Sequence, residues 1–149
     1  MAKLGRMDAI PPRSKPPFIA IFPSLLLALL AYNIAAWLGH DFKPASQSTV
    51  FTVHLISGAL WGLGWNELFV LGALLLVFFE ILKSTKTTHH STAEHVFSMF
   101  VFIAFLVEFL IVPYAGTNTF FLLGVFALID VLCGYAISIA VARKDLNIT

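Results

Sequence analysis

The chain is poor in charge. Of its 149 residues only 11% are charged, whereas 59% are hydrophobic. Soluble domains carry about 25% charged residues, so this chain has too few polar side chains to cover a water-exposed globule. Its formal net charge is +1, and it has no basic stripe of the kind that nucleic-acid-binding domains use. The composition therefore indicates a lipid bilayer as the solvent and excludes a nucleic-acid partner.

The sequence also lacks the residue patterns of most catalytic and metal sites. Its single cysteine, Cys133, excludes an intramolecular disulfide and a multi-cysteine metal site. It has no glycine-rich phosphate loop, nucleophile elbow or catalytic metal motif. The segment HHSTAEH at 89–95 contains imidazoles but matches no zinc or copper signature, so we interpret it as a solvated loop. We expect no catalytic residue, metal or cofactor.

What the chain does contain is a set of long apolar runs. A bilayer core needs about 20 apolar residues per helix, and four runs approach that length. They predict an all-α fold, a bundle of four transmembrane helices spanning 18–38, 66–82, 93–112 and 120–142. Residues 1–17 are basic and proline-rich and predict a tail outside the bilayer, and 18–149 form a single transmembrane domain.

The positive charges predict an orientation for this bundle. Every lysine and arginine except Lys43 falls on one side of the four-span arrangement. Because short cytoplasmic segments carry the excess of Lys and Arg, both termini are predicted to be cytoplasmic. A basic tail before an apolar run also occurs in signal peptides, but Ile34 would occupy the −3 position of a cut after Ala36, where a small residue is preferred.

The segment 50–65, between the first two spans, has a period of two. Phe51, Val53 and Leu55 alternate with their neighbours, and Ser57-Gly58 forms a turn signal before the return at 60–63. This pattern predicts a short extracytoplasmic β-hairpin on the membrane surface, and a tilted interfacial helix is the alternative. Three tryptophans fit an interfacial anchoring role, namely Trp37, Trp61 and Trp65.

Two acids lie where the bilayer should exclude them. Asp130 is about ten residues into the fourth span, roughly 15 Å from its start, and Glu108 is one turn inside the end of the third. A charge at such depth costs at least ~2.5–3.5 kcal/mol. The functional interpretation is a proton or cation pathway, or recognition of a polar substrate group. The structural one is pairing with another subunit or a hydrogen-bonded clasp involving Tyr32, Asn33, Ser98 or Tyr135.

Other residues indicate contacts between helices. Glu80 and His95 are a candidate pair near the cytoplasmic ends of consecutive helices. Small residues repeat at helical spacing on two faces, which lets helix backbones approach closely. These residues are Ala28, Ala31 and Ala35 in the first span and Ala127, Gly134 and Ser138 in the fourth.

The stretches SGALWGLGWNELFVLGALLLVFFEILKST and EHVFSMFVFIAFLVEFLIVPYAGTNTFFLLGVFALIDVLCGYAISI resemble a group of small four-span bacterial inner-membrane proteins. The resemblance implies a location in the bacterial inner membrane and four spans. It implies no catalytic residues in this chain. We predict a structural or accessory subunit that forms a homo-oligomer or joins a larger complex. The alternatives are a small transporter or channel component that uses Asp130, and a quinone- or redox-associated subunit with a lateral cavity near Trp61, Trp65 or His95.

Overall fold

The computed structural model describes residues 23–43, 48–84 and 91–146. Within these ranges the chain is mostly helical, with one two-stranded hairpin, which confirms the predicted fold class in its coarse form. The elements in chain order are α1 (Leu25–Trp37), β1 (Thr49–His54), β2 (Leu60–Gly64), α2 (Trp65–Ser84), α3 (Ser91–Ile111) and α4 (Asn118–Leu146). A single 3₁₀ turn at Pro113–Ala115 joins α3 to α4.

Two of the described helices have the length and apolar composition of a membrane span. They are Trp65–Ser84 and Asn118–Ala140. The apolar helices Leu25–Trp37 and His95–Ile111 are shorter. The start of the first predicted span and the predicted tail 1–17 lie outside the described residues. Membrane association is thus supported by two helices, and the four-span bundle stays a prediction.

The predicted hairpin is confirmed, and the alternative of an interfacial helix is wrong. β1 and β2 are antiparallel, with Phe51 opposite Leu63 and Val53 opposite Trp61. Gly58 in the turn has a φ of +84°, a conformation that glycine adopts without steric cost. The period of two places these four apolar side chains on one face of the hairpin. α2 begins at Trp65, directly after β2 ends.

The helices alternate in direction. Ser24, before α1, contacts Glu80 in the last turns of α2, and His95 near the start of α3 contacts Ser138 in α4. The hairpin and the starts of α2 and α4 therefore share one end of the bundle, the hairpin end, and Glu80 marks the opposite, Glu80 end. α4 packs extensively against both α2 and α3, while α1 makes smaller contacts with each of the other three helices.

The bundle has a small core and an apolar exterior. The largest fully buried side chains are Leu25, Tyr32, Phe105, Phe120 and Leu123. Only 33% of the most apolar stretch of α4 is buried within the chain, and 22% of that of α2. Large side chains such as Leu75, Phe79, Leu110 and Leu132 are exposed. Water-soluble monomers rarely expose contiguous apolar surface on this scale, whereas lipid or a partner helix would cover it.

Candidate functional site

Two groups of polar side chains connect helices at opposite ends of the bundle. At the Glu80 end, the charged cluster consists of Ser24, Glu80, Lys83, Ser98 and Asp130. At the hairpin end, the tyrosine network consists of Tyr32, Asn33, Tyr114 and Thr117. The two groups differ in chemistry, because the first contains two carboxylates and an ammonium group, whereas the residues of the second are uncharged at neutral pH.

Asp130 is the point where three helices meet. Its side chain on α4 is 5% exposed. The Ser98 hydroxyl of α3 donates a hydrogen bond to its carboxylate, and Glu80 and Lys83 of α2 are near enough to interact with it electrostatically. Of the four clasp partners named from the sequence, Ser98 is the one that the structure places on Asp130.

Glu80 joins α2 to the start of α1. It is 5% exposed, and its Oε2 accepts a hydrogen bond from the Ser24 backbone N–H at 2.9 Å. Its Oε1 accepts from Lys83 Nζ at 3.1 Å, one turn further along α2. The Ser24 hydroxyl in turn donates to the Leu76 carbonyl oxygen at 3.0 Å. The first N–H groups of a helix lack partners within it and favour negative charge, so Glu80 acts as a cap supplied by a neighbouring helix.

The structure gives Glu80 and His95 different partners, so it does not bring the predicted pair together. His95 Nε2 lies 2.7 Å from the Ser138 hydroxyl, and its ring stacks on Tyr135 with centroids 6.2 Å apart. The reason is the helix order. Within the described ranges α2 packs on α4 and α1 rather than on α3, although α2 and α3 are consecutive in the chain.

Gly134 allows the His95 ring to lie against α4. A Cβ atom at position 134 would lie 2.6 Å from His95 Cε1, well inside van der Waals contact. Ala127 is buried and Ser138 holds His95, so the predicted small-residue face of α4 lies at a helix interface. The predicted face of α1 does so only in part. Ala28 is buried and Ala35 half-buried, but Ala31 is exposed in a groove beside α2.

The tyrosine network connects α1 to the start of α4. The Tyr32 hydroxyl, fully buried, donates to the Tyr114 carbonyl oxygen at 3.0 Å and lies 2.7 Å from Thr117 Oγ1. Thr117 Oγ1 also accepts from the Phe120 N–H at 3.2 Å, the geometry of a helix N-cap. The Tyr114 hydroxyl donates to Asn33 Oδ1 at 2.7 Å. Thr117 just before an apolar run is a cap signal in the sequence that our prediction did not use.

The segment after α1 returns to the core, which the polar composition of 39–49 did not predict. Phe42 is 3% exposed and stacks on Tyr32 with ring centroids 4.0 Å apart. Asn66 Nδ2 donates to the Phe42 carbonyl oxygen at 3.0 Å. Among the buried polar side-chain atoms of the described residues, His40 Nε2 is the one without a hydrogen-bond partner.

Glu108 belongs to the hairpin end. It is half-buried and interacts electrostatically with Tyr32. It lies ten residues after Ser98 on α3, a rise of about 15 Å, so the structure keeps it apart from Asp130. Trp37, Trp61 and Trp65 are also at the hairpin end, and their side chains are exposed, as an interfacial belt requires.

These contacts can hold the helices together. The carboxyl groups of Glu80 and Asp130 can in addition bind and release protons. Among the described residues, no three His, Cys, Asp or Glu side chains lie together as metal ligands would. His89, His90 and the Glu94 side chain lie outside the described part of the chain. Comparison with protein-family models, with curated proteins and with solved structures gives no match to this chain. The interpretation of the site therefore depends on its own geometry.

Proposed function

We propose that this chain is a small integral membrane protein that acts as a structural or accessory subunit, with no catalytic chemistry evident in its residues. The observation that supports it most is the engagement of Asp130 with Ser98 of α3 and Lys83 of α2 in the same chain. An acid inside a membrane is expensive unless it has partners. Here the partners belong to two other helices, so Asp130 acts as a tie between α2, α3 and α4.

The exterior supports an assembling role. Exposed apolar side chains cover the outward faces of all four described helices, and the groove between α1 and α2 contains Ala31 and Gly72. Small residues allow a further helix to approach closely. A homo-oligomer or a larger membrane complex, in the bacterial inner membrane with both chain termini cytoplasmic, is the setting that we propose.

Native mass spectrometry of the protein, purified gently from its own membranes, tests this function. We expect a discrete complex with other polypeptides or with further copies of this chain. A lone chain, recovered intact and folded under conditions that preserve known complexes from the same membranes, would contradict the subunit role. Extraction of the membranes at alkaline pH gives a separate test of membrane integration, because peripheral proteins are released by that treatment.

A second candidate is a small transporter or channel component with a protonatable site at Asp130. The observation that favours it is charge balance, since two buried acids, Glu80 and Asp130, share one nearby ammonium group, that of Lys83. Asp130→Asn separates the two functions. The amide can still accept a hydrogen bond from Ser98, so a tie survives the change and subunit assembly stays intact. A proton or cation pathway instead loses flux into liposomes while the protein remains folded.

A further inference from the structure

A cavity at the hairpin end has an unusual distribution of polar groups. Its volume is about 480 Å³, and β2 with the first turns of α2 and α4 forms its walls. Sites for small ligands commonly have volumes of about 300–1,000 Å³. α2 and α4 are the two described helices that have the length of a membrane span, so the cavity lies where both spans begin.

The polarity of the cavity changes along the helix axes. Asn66 and Glu67 of α2 and Asn118 and Thr119 of α4 line its upper level, beside Trp61 of the hairpin. The lower level, about 5 Å further along the helices at 1.5 Å per residue, is lined by Val70, Leu71 and Leu122. A polar rim above an apolar base fits an amphipathic molecule with its headgroup at the helix starts and a hydrocarbon chain below.

The charge of the rim selects among headgroups. Glu67 is the one charged side chain among the described residues that line this cavity. A carboxylate without a basic neighbour in the cavity favours a cationic group and disfavours a net anionic lipid. The first residues of α2 and α4 both line this rim, and helix N-termini favour phosphate. A zwitterionic headgroup with both an ammonium and a phosphate satisfies the two requirements together.

The Glu67 carboxylate is held in place by the backbone. Its Oε2 accepts a hydrogen bond from the Gly64 N–H at 2.9 Å, which is one half of a capping box at the start of α2. A Cβ at position 64 would lie 2.7 Å from the same oxygen, so a side chain there would have to displace the Glu67 carboxylate. Because glutamine also serves in capping boxes, Glu67→Gln removes the charge and keeps the cap.

Two other cavities differ from this one in the polarity of their lining residues. The groove between α1 and α2 is lined by residues such as Leu27, Ala31 and Gly72, and the groove between α3 and α4 by Phe102, Phe109 and Leu128. Their linings contain no charged or amide side chain. They can accommodate hydrocarbon but cannot distinguish one headgroup from another.

We propose that the cavity at the hairpin end binds a phospholipid with an ethanolamine headgroup. The primary ammonium pairs with Glu67 and can donate three hydrogen bonds, the phosphate lies over the first turns of α2 and α4, and one acyl chain follows Val70, Leu71 and Leu122. A choline headgroup is disfavoured because its quaternary ammonium has no N–H to donate. This inference depends on the proposed membrane location.

The test is native mass spectrometry of the purified protein after exchange into micelles that contain equal amounts of ethanolamine, choline and glycerol phospholipids with identical acyl chains. We expect preferential retention of the ethanolamine lipid. Glu67→Gln should lower that preference about threefold, the scale of a partly exposed ion pair. The control Asp41→Asn removes one acidic charge from the same end of the bundle, outside this cavity, and should leave the preference unchanged.

A second variant tests the acyl-chain part of the site. Leu71→Trp places a larger side chain in the apolar base, and it should reduce retention of all three phospholipids. Equal retention of the three lipids by the natural protein, an unchanged preference in Glu67→Gln, or displacement of the lipid by a quinone or by soluble phosphoethanolamine would each overturn the proposal. If one of these results is obtained and the chain still resists alkaline extraction, only the proposed lipid site is contradicted. If alkaline extraction releases the chain, the proposed membrane function is contradicted as well.

Discussion

The hairpin end and the Glu80 end of the bundle both connect helices through polar side chains, but the side chains differ in charge. At the hairpin end, hydroxyl, amide and carbonyl groups of Tyr32, Tyr114 and Thr117 connect α1 to the start of α4 without any charge. At the Glu80 end, carboxylates make the connections between helices. A neutral hydrogen bond contributes about 0.5–1.5 kcal/mol net, whereas removing one partner of a buried ion pair costs about 3–5 kcal/mol. The charged end is therefore expected to be the more sensitive to substitution.

Glu80→Ala should give the largest effect. It removes the acceptor for the Ser24 N–H and leaves Lys83 without its 3.1 Å partner. We expect a loss of about 3 kcal/mol in the free energy of unfolding, near the lower limit for a broken buried pair because Lys83 is partly exposed. This loss is measured by denaturant titration in mild detergent, with circular dichroism as the readout of unfolding. Glu80→Gln keeps an acceptor for Ser24 and should lose less, and equal losses in the two variants would contradict the capping role.

Gly134→Ala should have an intermediate effect. The added methyl group would collide with the His95 ring, so α3 and α4 must separate or His95 must leave Ser138. Overpacking of this kind costs about 1–3 kcal/mol, measured by the same titration. Gly72→Ala on α2 is the matched control, since nothing lies within 4 Å of a Cβ there. If the two alanine variants are equally stable, the close approach of His95 to α4 is not as described.

The smallest effect is expected at the neutral end. Tyr32→Phe removes a hydroxyl that contacts the Tyr114 carbonyl and Thr117 Oγ1, and should cost about 1 kcal/mol. Combined with Thr117→Val in a double-mutant cycle, it should show a coupling energy of about 0.5 kcal/mol or more, because the two side chains are in contact. Tyr135→Phe is a control on an exposed tyrosine. A larger loss for Tyr32→Phe than for Glu80→Ala would reverse the ranking of the two ends.

Local features were predictable from the sequence, because they depend on neighbours in the chain. The hairpin followed from the alternation of Phe51 and Val53 and from the turn at Gly58, and the bounds of α2 and α3 lie within two residues of the predicted ones. The position of Asp130 well inside the last helix followed from counting residues along the predicted span. The small-residue face of α4 likewise indicated which side of that helix would pack.

Features that depend on the arrangement of helices were not predictable in this way. A sequence gives the order of the helices but not their neighbours in space, and α4 lies between α2 and α3. Glu80 therefore contacts Ser24, 56 residues away, and Tyr32 contacts Thr117, 85 residues away. Phe42 was missed for a related reason, since a single aromatic residue in a polar segment has no periodicity to indicate that it is buried.

The central position of α4 also has a consequence for biosynthesis. Translation produces α2 and α3 before α4, so both are made while the helix that each packs against most closely is still absent. During that interval Ser98 and Lys83 lack their interaction with Asp130, and the faces of α2 and α3 that α4 will cover are exposed. The last of the described helices thus completes the bundle, and α2 and α3 can reach their final packing only after α4 has been made.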